Sequence, residues 1–378
     1  MFDLKFFGKK LKRCRDNQEY TYSEVSDGTG ISIKRLEGFE NGLLEPTGDE
    51  ILILADFYKE DYKYFISNQQ NSASESTELL YRKFGAEFSS QDKRAIQTFM
   101  YLCQCEQTIW DLLGIRHESF QPIQTNVKSI KAQAVQAAGE LRKFLGYNSN
   151  NVINNIYDDL RKTGTHVFRF KLSTSKISGL FINHPVAGKC ILVNYSEDLY
   201  RQNFTVLHEY AHSIFDTQQE YNVSFSNENH DPKEIRANNF AANFLVPTET
   251  IKEIRTSKWT QQIVTKVAEQ LQVNVLTLLY RLKNIGIIDE NELQILKETK
   301  LPSLGKIDPE FKGLTEKSVV AKKAFMERGL SSSYVRNCHE AYTKTLISRN
   351  KLSEILLVDE FELPELLYLY NLKLTHEL

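Results

Sequence analysis

Apolar residues recur at helical spacing along most of this chain, and strand-like segments are confined to its middle. Short amphipathic helices are predicted within residues 1–66, helical periodicity returns from Thr77 to Leu113, and a further helix is predicted from Ala132 to Leu145. The stretches "THVFRFKL", "SGLFINH" and "KCILVNY" are rich in β-branched and aromatic residues, which predicts a small antiparallel sheet. Helical patterns follow the sheet and fill the last sixty residues, so we expect an α+β fold that is predominantly helical.

The first 66 residues have the pattern of a helix-turn-helix (HTH). "TYSEVSDGTG" and "SIKRLEGFENG" predict two short helices joined by a turn that contains glycine. Ser32 is the expected N-cap of the second helix, 33–40, which Gly42 ends. Ser32, Lys34 and Arg35 stand where the recognition helix of such a motif contacts DNA bases. The first helix carries basic residues suited to phosphate contact: Lys9, Lys10, Lys12, Arg13 and Arg15.

The charge balance leaves the partner of this motif open. Residues 1–66 contain ten Lys or Arg against thirteen Asp or Glu, and the formal net charge of all 378 residues is −2. The protein as a whole therefore offers nucleic acid no strong attraction, and any contact with double-stranded DNA must be local. Docking of a partner repressor and formation of a homodimer are equal alternatives for the same motif.

Length and composition exclude several classes of protein. A chain of 378 residues is too long for one ordinary core, which predicts two or three domains. It has no run of 18 apolar residues, and its first twelve residues read as a basic amphipathic helix. We therefore expect a cytoplasmic protein with no membrane partner. The five cysteines are scattered and odd in number, which favours reduced thiols over a disulfide framework.

The segment "TVLHEYAHSIFD", residues 205–216, places two histidines and a glutamate on an otherwise apolar helix. His208 and His212 are four residues apart, so both imidazoles lie on one side of the helix, one turn apart. This spacing suits one Zn²⁺ ion, and Glu209 is placed as the general base that takes a proton from the metal-bound water. A catalytic site of this kind also needs a third protein ligand and one open position.

Three nearby residues are candidates for the third ligand: His230, Asp231 and Glu234. Asp231 and Pro232 predict the start of a helix that carries Glu234 and Asn238 on one face. Glu234 would complete a His, His, Glu set, and Asn238 would orient a ligand imidazole from behind. The alternative for Glu234 is structural, because it stands three residues after Asp231, where a capping-box carboxylate bonds back to the helix start.

Two further features of this region are left open by the sequence. Tyr210, between the two histidines, is expected to face either the core or the edge of the cleft. The transition-state oxyanion needs a donor besides the metal, and Tyr195, Tyr221 and His230 are equal candidates.

Two parts of the chain resemble known families. The N-terminal part resembles XRE (Cro/repressor-like) HTH domains through Gly30, Ile31, Ser32, Leu36, Glu40, Gly42 and Pro46. From about residue 126 to 297 the chain resembles the ImmA/IrrE metallopeptidases, because "FTVLHEYAHSIF" is followed at the expected separation by "EIRANNFAANFLVP". This resemblance implies that His208, His212 and Glu234 bind zinc, and that Glu209 is catalytic. It also implies a substrate: a partner transcriptional repressor whose cleavage derepresses stress, phage or mobile-element genes.

Together these observations predict five segments and one leading function. The segments are an XRE-like HTH domain at 1–66, a linker and helical segment at 67–125, a zincin-like (gluzincin) peptidase domain at 126–256, its helical extension at 257–300, and a C-terminal helical domain at 301–378. The leading function is a zinc endopeptidase that cuts an HTH repressor. The alternative is a DNA-binding transcriptional regulator whose zinc domain is a non-hydrolytic sensor.

Overall fold

The computed structural model describes most of the chain. The described residues are 2–67, 80–81, 87–123, 129–148, 153, 155–173, 176–216, 221–225, 231–254, 256, 258–299, 306 and 308–374. Within 221–225 only the backbone is described.

Short helices around one apolar core form the N-terminal HTH unit. They are α1 (Leu4–Asn17), α2 (Tyr22–Thr29), α3 (Ile33–Glu40), α4 (Gly48–Tyr58) and α5 (Tyr62–Ile66). The turn between α2 and α3 passes through Gly30, whose φ of 71° is in the left-handed region that glycine tolerates. The predicted limits of α3 are confirmed. Ser32 occupies its N-cap position, but its side chain makes no capping hydrogen bond.

The central sheet is mixed, so the prediction of a purely antiparallel sheet is wrong. Its strands are β1 (His166–Phe170), β2 (Ile177–His184), β3 (Gly188–Asn194) and β4 (Tyr221–Phe225), in the order β1-β3-β2-β4. β2 pairs antiparallel with both β3 and β4, whereas β1 pairs parallel with β3. The reason is that β3 folds back from β2 in a hairpin and lies between β2 and β1. Strand propensity along the chain does not reveal that insertion.

Both faces of the sheet are covered, and alternate residues of β3 serve the two cores. Ile191 and Val193 belong to the core on one face, and Cys190 and Leu192 to the core on the other. The first face is covered by helices that include α7 (Ile130–Phe144), α8 (Ile156–Arg161), α9 (Leu199–Phe215), α10 (Pro232–Leu245), α11 (Thr248–Glu253), α12 (Gln261–Gln270), α13 (Val275–Asn284) and α14 (Glu290–Leu296).

The second face is covered by one helix that precedes the sheet in the sequence and by four helices near the C-terminus. They are α6 (Ser90–Leu113), α15 (Glu316–Met326), α16 (Ser332–Thr343), α17 (Arg349–Ile355) and α18 (Leu363–Leu369). The segment 301–378, predicted as a C-terminal helical domain, thus shares its core with α6 and the sheet. α6 begins at Ser90, where Ser89 and Asp92 form a capping box. Thr77, where the predicted helical periodicity starts, lies outside the described residues.

α6 also joins the HTH unit to the sheet. Near its start, the Arg94 guanidinium lies 3.7 Å from the centre of the Tyr20 ring and donates to Glu24 at 2.8 Å. Further along, the buried Glu106 accepts from Arg161 of α8 at 3.0 Å and contacts His166 of β1 at 2.7 Å. One helix therefore contacts the HTH unit at one end and the peptidase-like part at the other.

The described residues bear on two features of the composition. No helix there is long and apolar enough to cross a membrane. The five cysteines are free thiols, and all of them are buried.

Candidate metal centre

α9 carries the HExxH segment and packs closely on strand β2. Asp198 is the N-cap of the helix, where its side chain accepts from the Tyr200 N–H, and the apolar residues of the helix are buried against the sheet. A Cβ added to Gly179 of β2 would stand 2.6 Å from the Thr205 methyl carbon and 3.2 Å from Cγ of Glu209. Since real Cβ atoms do not approach that closely, glycine at position 179 allows the helix to lie where it does.

Three donor groups meet between α9 and α10. Nε2 of His208 lies 3.1 Å from Nε2 of His212. The Glu234 carboxylate reaches both rings, with Oε2 at 3.0 Å from His208 Nε2 and Oε1 at 3.2 Å from His212 Nε2. All three side chains are buried, and their donor atoms lie within 4.8 Å of one another. The structure thus brings together the two histidines and one of the three candidate third ligands.

Each imidazole is held from behind by an acceptor. Nδ1 of His208 donates to Oδ1 of Asn238 at 3.0 Å, and Nδ1 of His212 donates to Oδ2 of Asp216 at 2.9 Å. Because a carboxylate or amide oxygen can only accept, the proton of each neutral ring sits on Nδ1 and the Nε2 lone pair faces the shared centre. Asp216 also accepts from Arg236 of α10 at 2.7 Å, which anchors it in place.

The remaining candidates for the third ligand are placed elsewhere or lie outside the description. Asp231 accepts from the Lys233 N–H at 2.8 Å and so caps α10. The capping-box alternative for Glu234 is not the one that the structure shows, since its carboxylate faces His208 and His212. His230 lies outside the described residues, as does the side chain of Tyr221.

The geometry of the three donors fits a metal ion. Ligands at 2.0–2.1 Å from a tetrahedral ion stand roughly 3.3 Å apart, and the observed separations are 3.0 to 3.2 Å. Two imidazole nitrogens and a carboxylate that point at one another need positive charge between them, supplied by protons on Nε2 or by a metal ion. Three protein donors leave a fourth tetrahedral position open for solvent or substrate.

The electrostatics of the site favour a cation. Burial raises the pKa of Glu234, but the hydrogen bonds from His208 and His212 outweigh burial and bring the pKa to about 2. Burial lowers the pKa of His212, but Asp216 and Glu234 outweigh it and bring the pKa to about 9. The carboxylates thus create a negative potential at the histidines, which a divalent ion would neutralise.

The other side chains named in the sequence analysis have defined positions. Glu209 is fully buried on α9 beside β2. Tyr210 faces the core and not the cleft, because its buried ring lies 6.3 Å from that of Phe240. Tyr195 is buried, and its ring centre lies 5.3 Å from the guanidinium of Arg169. Asp216 was missed by the sequence analysis, although its position four residues after His212 is a signal that could have found it.

The structure divides the predicted DNA-contacting residues of the HTH unit. Ser32 and Lys34 are exposed at the start of α3. Arg35, by contrast, donates Nε and Nη2 to the Glu50 carboxylate at 2.6 and 2.7 Å. The position of α3 therefore agrees with the motif, while one of its two basic side chains is engaged within the unit.

Two of the five basic residues in α1 are structural, so their interpretation as phosphate contacts is wrong. Lys10 is buried and donates to the backbone carbonyls of Tyr64 and Ser67. Arg15 forms a paired hydrogen bond with Glu40 at 2.7 and 2.9 Å. Both side chains hold the HTH unit together and do not extend toward solvent.

Comparison with known proteins supports both parts of the resemblance. Residues 160–283 match a peptidase family model described as the IrrE N-terminal-like domain, and residues 11–65 match a helix-turn-helix model. Over 73 residues, the chain is 29% identical to the HTH-type transcriptional regulator ImmR of Bacillus subtilis (strain 168). That stretch is 19% of this chain and spans 58% of the regulator. The resemblance to an XRE-type HTH and to an IrrE-like peptidase is thus confirmed for these segments.

Proposed function

We propose that this protein is a zinc-dependent endopeptidase of the HExxH, gluzincin-like type. The observation that carries the proposal is the convergence of His208, His212 and Glu234 from two helices, with Glu209 on the same helix as the histidines. The match of residues 160–283 to a peptidase family supports it independently. The predicted domain boundaries at 66, 125, 256 and 300 stay predictions.

The chain's own residues supply positioning and proton transfer. His208, His212 and Glu234 would hold Zn²⁺, which when bound supplies a Lewis acid that polarises the scissile carbonyl and makes a water more acidic. Glu209 takes the proton of the attacking water and passes it to the leaving nitrogen. Asn238 and Asp216 keep the imidazole rings oriented during these steps.

An extended peptide can reach this site along the sheet edge. Among the described strands, β4 is the last in the sheet order; it pairs antiparallel with β2 and contacts α9. The free side of an edge strand accepts a further strand through backbone hydrogen bonds. A substrate segment bound there in extended form would pass close to the helix that carries Glu209.

We assign the substrate class as an HTH transcriptional repressor. The HTH match at residues 11–65 and the similarity to a transcriptional regulator support a role in gene regulation. Cleavage of such a repressor would release the stress, phage or mobile-element genes that it silences. The reaction requires no membrane and is consistent with a cytoplasmic location.

The test is cleavage of purified HTH repressors from the same genome, beginning with any encoded in adjacent genes. The full chain loaded with Zn²⁺ should cut a repressor into discrete fragments. Glu209→Gln should retain zinc and the fold but lose at least about a hundredfold in rate, because general-base catalysis contributes factors of 10² to 10⁴. Full activity in Glu209→Gln, or no bound zinc in the wild type, would disprove the proposal.

A second function, a DNA-binding regulator with a non-hydrolytic zinc sensor, is favoured by the HTH match. Ser32, Lys34 and Arg35 are its proposed DNA contacts. The same variant separates the two functions, because a sensor would keep its transcriptional output after Glu209→Gln while a peptidase would lose it.

A further inference from the structure

Two consecutive residues of β2 face the same side of the sheet. Ile177 and Leu180 both belong to the core on the second face, although they are three residues apart. Because strand side chains alternate between the two faces, one residue too many lies between them. Ser178 and Gly179 both face α9 on the first face, since Ser178 bonds to residues at the start of that helix and Gly179 contacts Thr205.

The extra residue is a β-bulge opposite the edge strand β4. Ile177 pairs with Phe225 and Gly179 pairs with Ser224, so β2 advances by two residues where β4 advances by one. A bulge bends its strand and increases the local twist. Among the described strands, β4 pairs with β2 alone, so the bend at Ser178 determines the course of β4.

Two side chains at the start of α9 hold the bulge. Ser178 is buried, and its Oγ donates to Oε1 of Glu197 at 2.7 Å. The same Oγ accepts from Nη2 of Arg201 at 2.9 Å, and Nε of Arg201 lies 2.9 Å from Oε1 of Glu197. Each of the three residues thus contacts the other two. We call Ser178, Glu197 and Arg201 the bulge clamp.

The carboxylate of the bulge clamp depends on these contacts. Oε2 of Glu197 is buried and has no hydrogen-bond partner in the part of the chain that the structure describes. The Glu197 side chain is 10% exposed, so water replaces a lost partner poorly. Removing the Ser178 hydroxyl therefore leaves a largely buried carboxylate without one of its two partners.

The bulge clamp lies in line with the proposed general base. Arg201, Thr205 and Glu209 follow one another at intervals of four residues on α9 and share one side of the helix. A Cβ on Gly179, the residue next to the bulge, would stand 3.2 Å from Cγ of Glu209. A change in the bulge therefore moves the edge strand relative to Glu209.

We infer that the bulge clamp aligns an extended substrate on β4 with Glu209. This inference rests on the proposed function. Backbone hydrogen bonds hold a peptide on an edge strand, and the position of that strand determines how far the scissile carbonyl lies from the base. The three residues act through β2 and β4, so they are positioning residues and not catalytic ones.

The test compares two substrates that contain the same cleaved bond, with the full chain loaded with Zn²⁺. A peptide of about ten residues is long enough to pair along the five residues of β4, whereas a blocked dipeptide is not. Ser178→Ala should lower kcat for the longer peptide about tenfold and leave KM within about twofold, because misplacement slows the reaction more than it weakens binding. The dipeptide should lose less than about twofold, and the zinc content should not change. Equal losses on both substrates would locate the damage in the metal centre and overturn the inference.

Two further serine variants serve as controls. Ser178→Thr keeps the hydroxyl and should retain most of the wild-type kcat; a loss equal to that of Ser178→Ala would show that the hydroxyl is not what holds the bulge. Ser353→Ala removes an equally buried hydroxyl on α17, which donates to the Asn350 carbonyl at 2.9 Å, and should affect neither substrate.

Amide hydrogen exchange tests the bulge clamp without catalysis. In Ser178→Ala, exchange at residues 221–225 should become several-fold faster, while exchange at 205–215 of α9 stays the same. Unchanged exchange at 221–225 would overturn the inference whether or not peptides are cut. If the wild type cuts no substrate, the proposed function fails, and faster exchange at 221–225 would still show that the bulge clamp holds the edge strand.

Discussion

The two ring nitrogens of each site histidine have separate tasks. In both rings Nδ1 is bound by an oxygen acceptor, Asn238 for His208 and Asp216 for His212, so Nε2 is left to face Glu234. The acceptors come from different helices, since Asn238 is on α10 and Asp216 is the C-cap of α9. Orientation of the rings therefore depends on contacts that no metal ion makes.

Asn238→Ala should weaken zinc binding by about 10- to 100-fold, because removing an outer partner of a ligand imidazole typically has that effect. The measurement is a zinc titration with a competing chelator. Asn239→Ala is the matched control: its side chain, one position along α10, bonds to the Ile235 carbonyl and not to a histidine. Equal affinities in the two variants would show that the Asn238 contact does not orient His208.

The packing of α9 on β2 depends on one missing side chain. Gly179 faces Thr205, Glu209 and the carbonyl of Leu192, and the last would lie 3.0 Å from a new Cβ. A methyl group there must push α9 away from the sheet or bend the strand. The missing side chain of Gly179 in β2 therefore determines how closely Glu209 approaches the sheet.

Gly179→Ala should lower the free energy of unfolding by about 1–3 kcal/mol, the usual cost of overpacking a core. Thermal or denaturant unfolding measures it. Thr205→Ser in the same chain should restore part of the loss, because it removes the methyl carbon 2.6 Å from the new Cβ.

Gly139→Ala is the control for that substitution and should have the opposite sign. Gly139 lies within helix α7, and a Cβ there meets nothing within 4 Å. Replacing glycine by alanine inside a helix stabilises by about 0.5–1 kcal/mol. Similar effects at positions 139 and 179 would refute the packing argument.

Zinc should stabilise the pair of helices that its ligands join. His208 and His212 belong to α9 and Glu234 to α10. An ion bound only to the folded state at a hundred times its Kd adds about 2.7 kcal/mol, which should raise Tm by about 3 °C for a chain of this length. A chelator should reverse the rise, and Glu234→Ala should abolish it. Glu209→Gln should retain it, and loss of the rise in that variant would assign Glu209 to the ligand set.

α6 is the physical link between the two segments that match family models. It contacts the HTH unit through Arg94 and the sheet through Glu106, on one continuous helix. A partner docked on the HTH unit is thereby held at a defined distance from the metal centre.

Arg94→Ala should loosen the HTH unit without disturbing the metal centre. It removes a ring contact and a partly exposed ion pair with Glu24, together worth roughly 1 kcal/mol. Amide hydrogen exchange should become several-fold faster near residues 18–24, while zinc affinity stays the same. Lys317→Ala, on the exposed side of α15, should change neither quantity. Unaltered exchange in Arg94→Ala would mean that other contacts hold the unit.

Local patterns in the sequence were sufficient for much of this protein. The spacing of His208 and His212 determines that both rings share a side of any helix that contains them, and the Gly30 turn determines the relation of α2 to α3. Helix starts follow from their caps, as at Asp231. These features depend on residues within a few positions of one another, where backbone geometry alone sets the outcome.

Only the tertiary structure decided what depends on distant residues. Glu234 can cap its helix or face the histidines until α9 lies beside it, and the partner of Arg35 is open until Glu50 is placed next to it. The direction of β1 is decided by the insertion of β3, and the last helices find their core on a sheet more than a hundred residues earlier. These features are determined by packing and by charges that the fold brings together. The spacing of residues along the chain does not predict them.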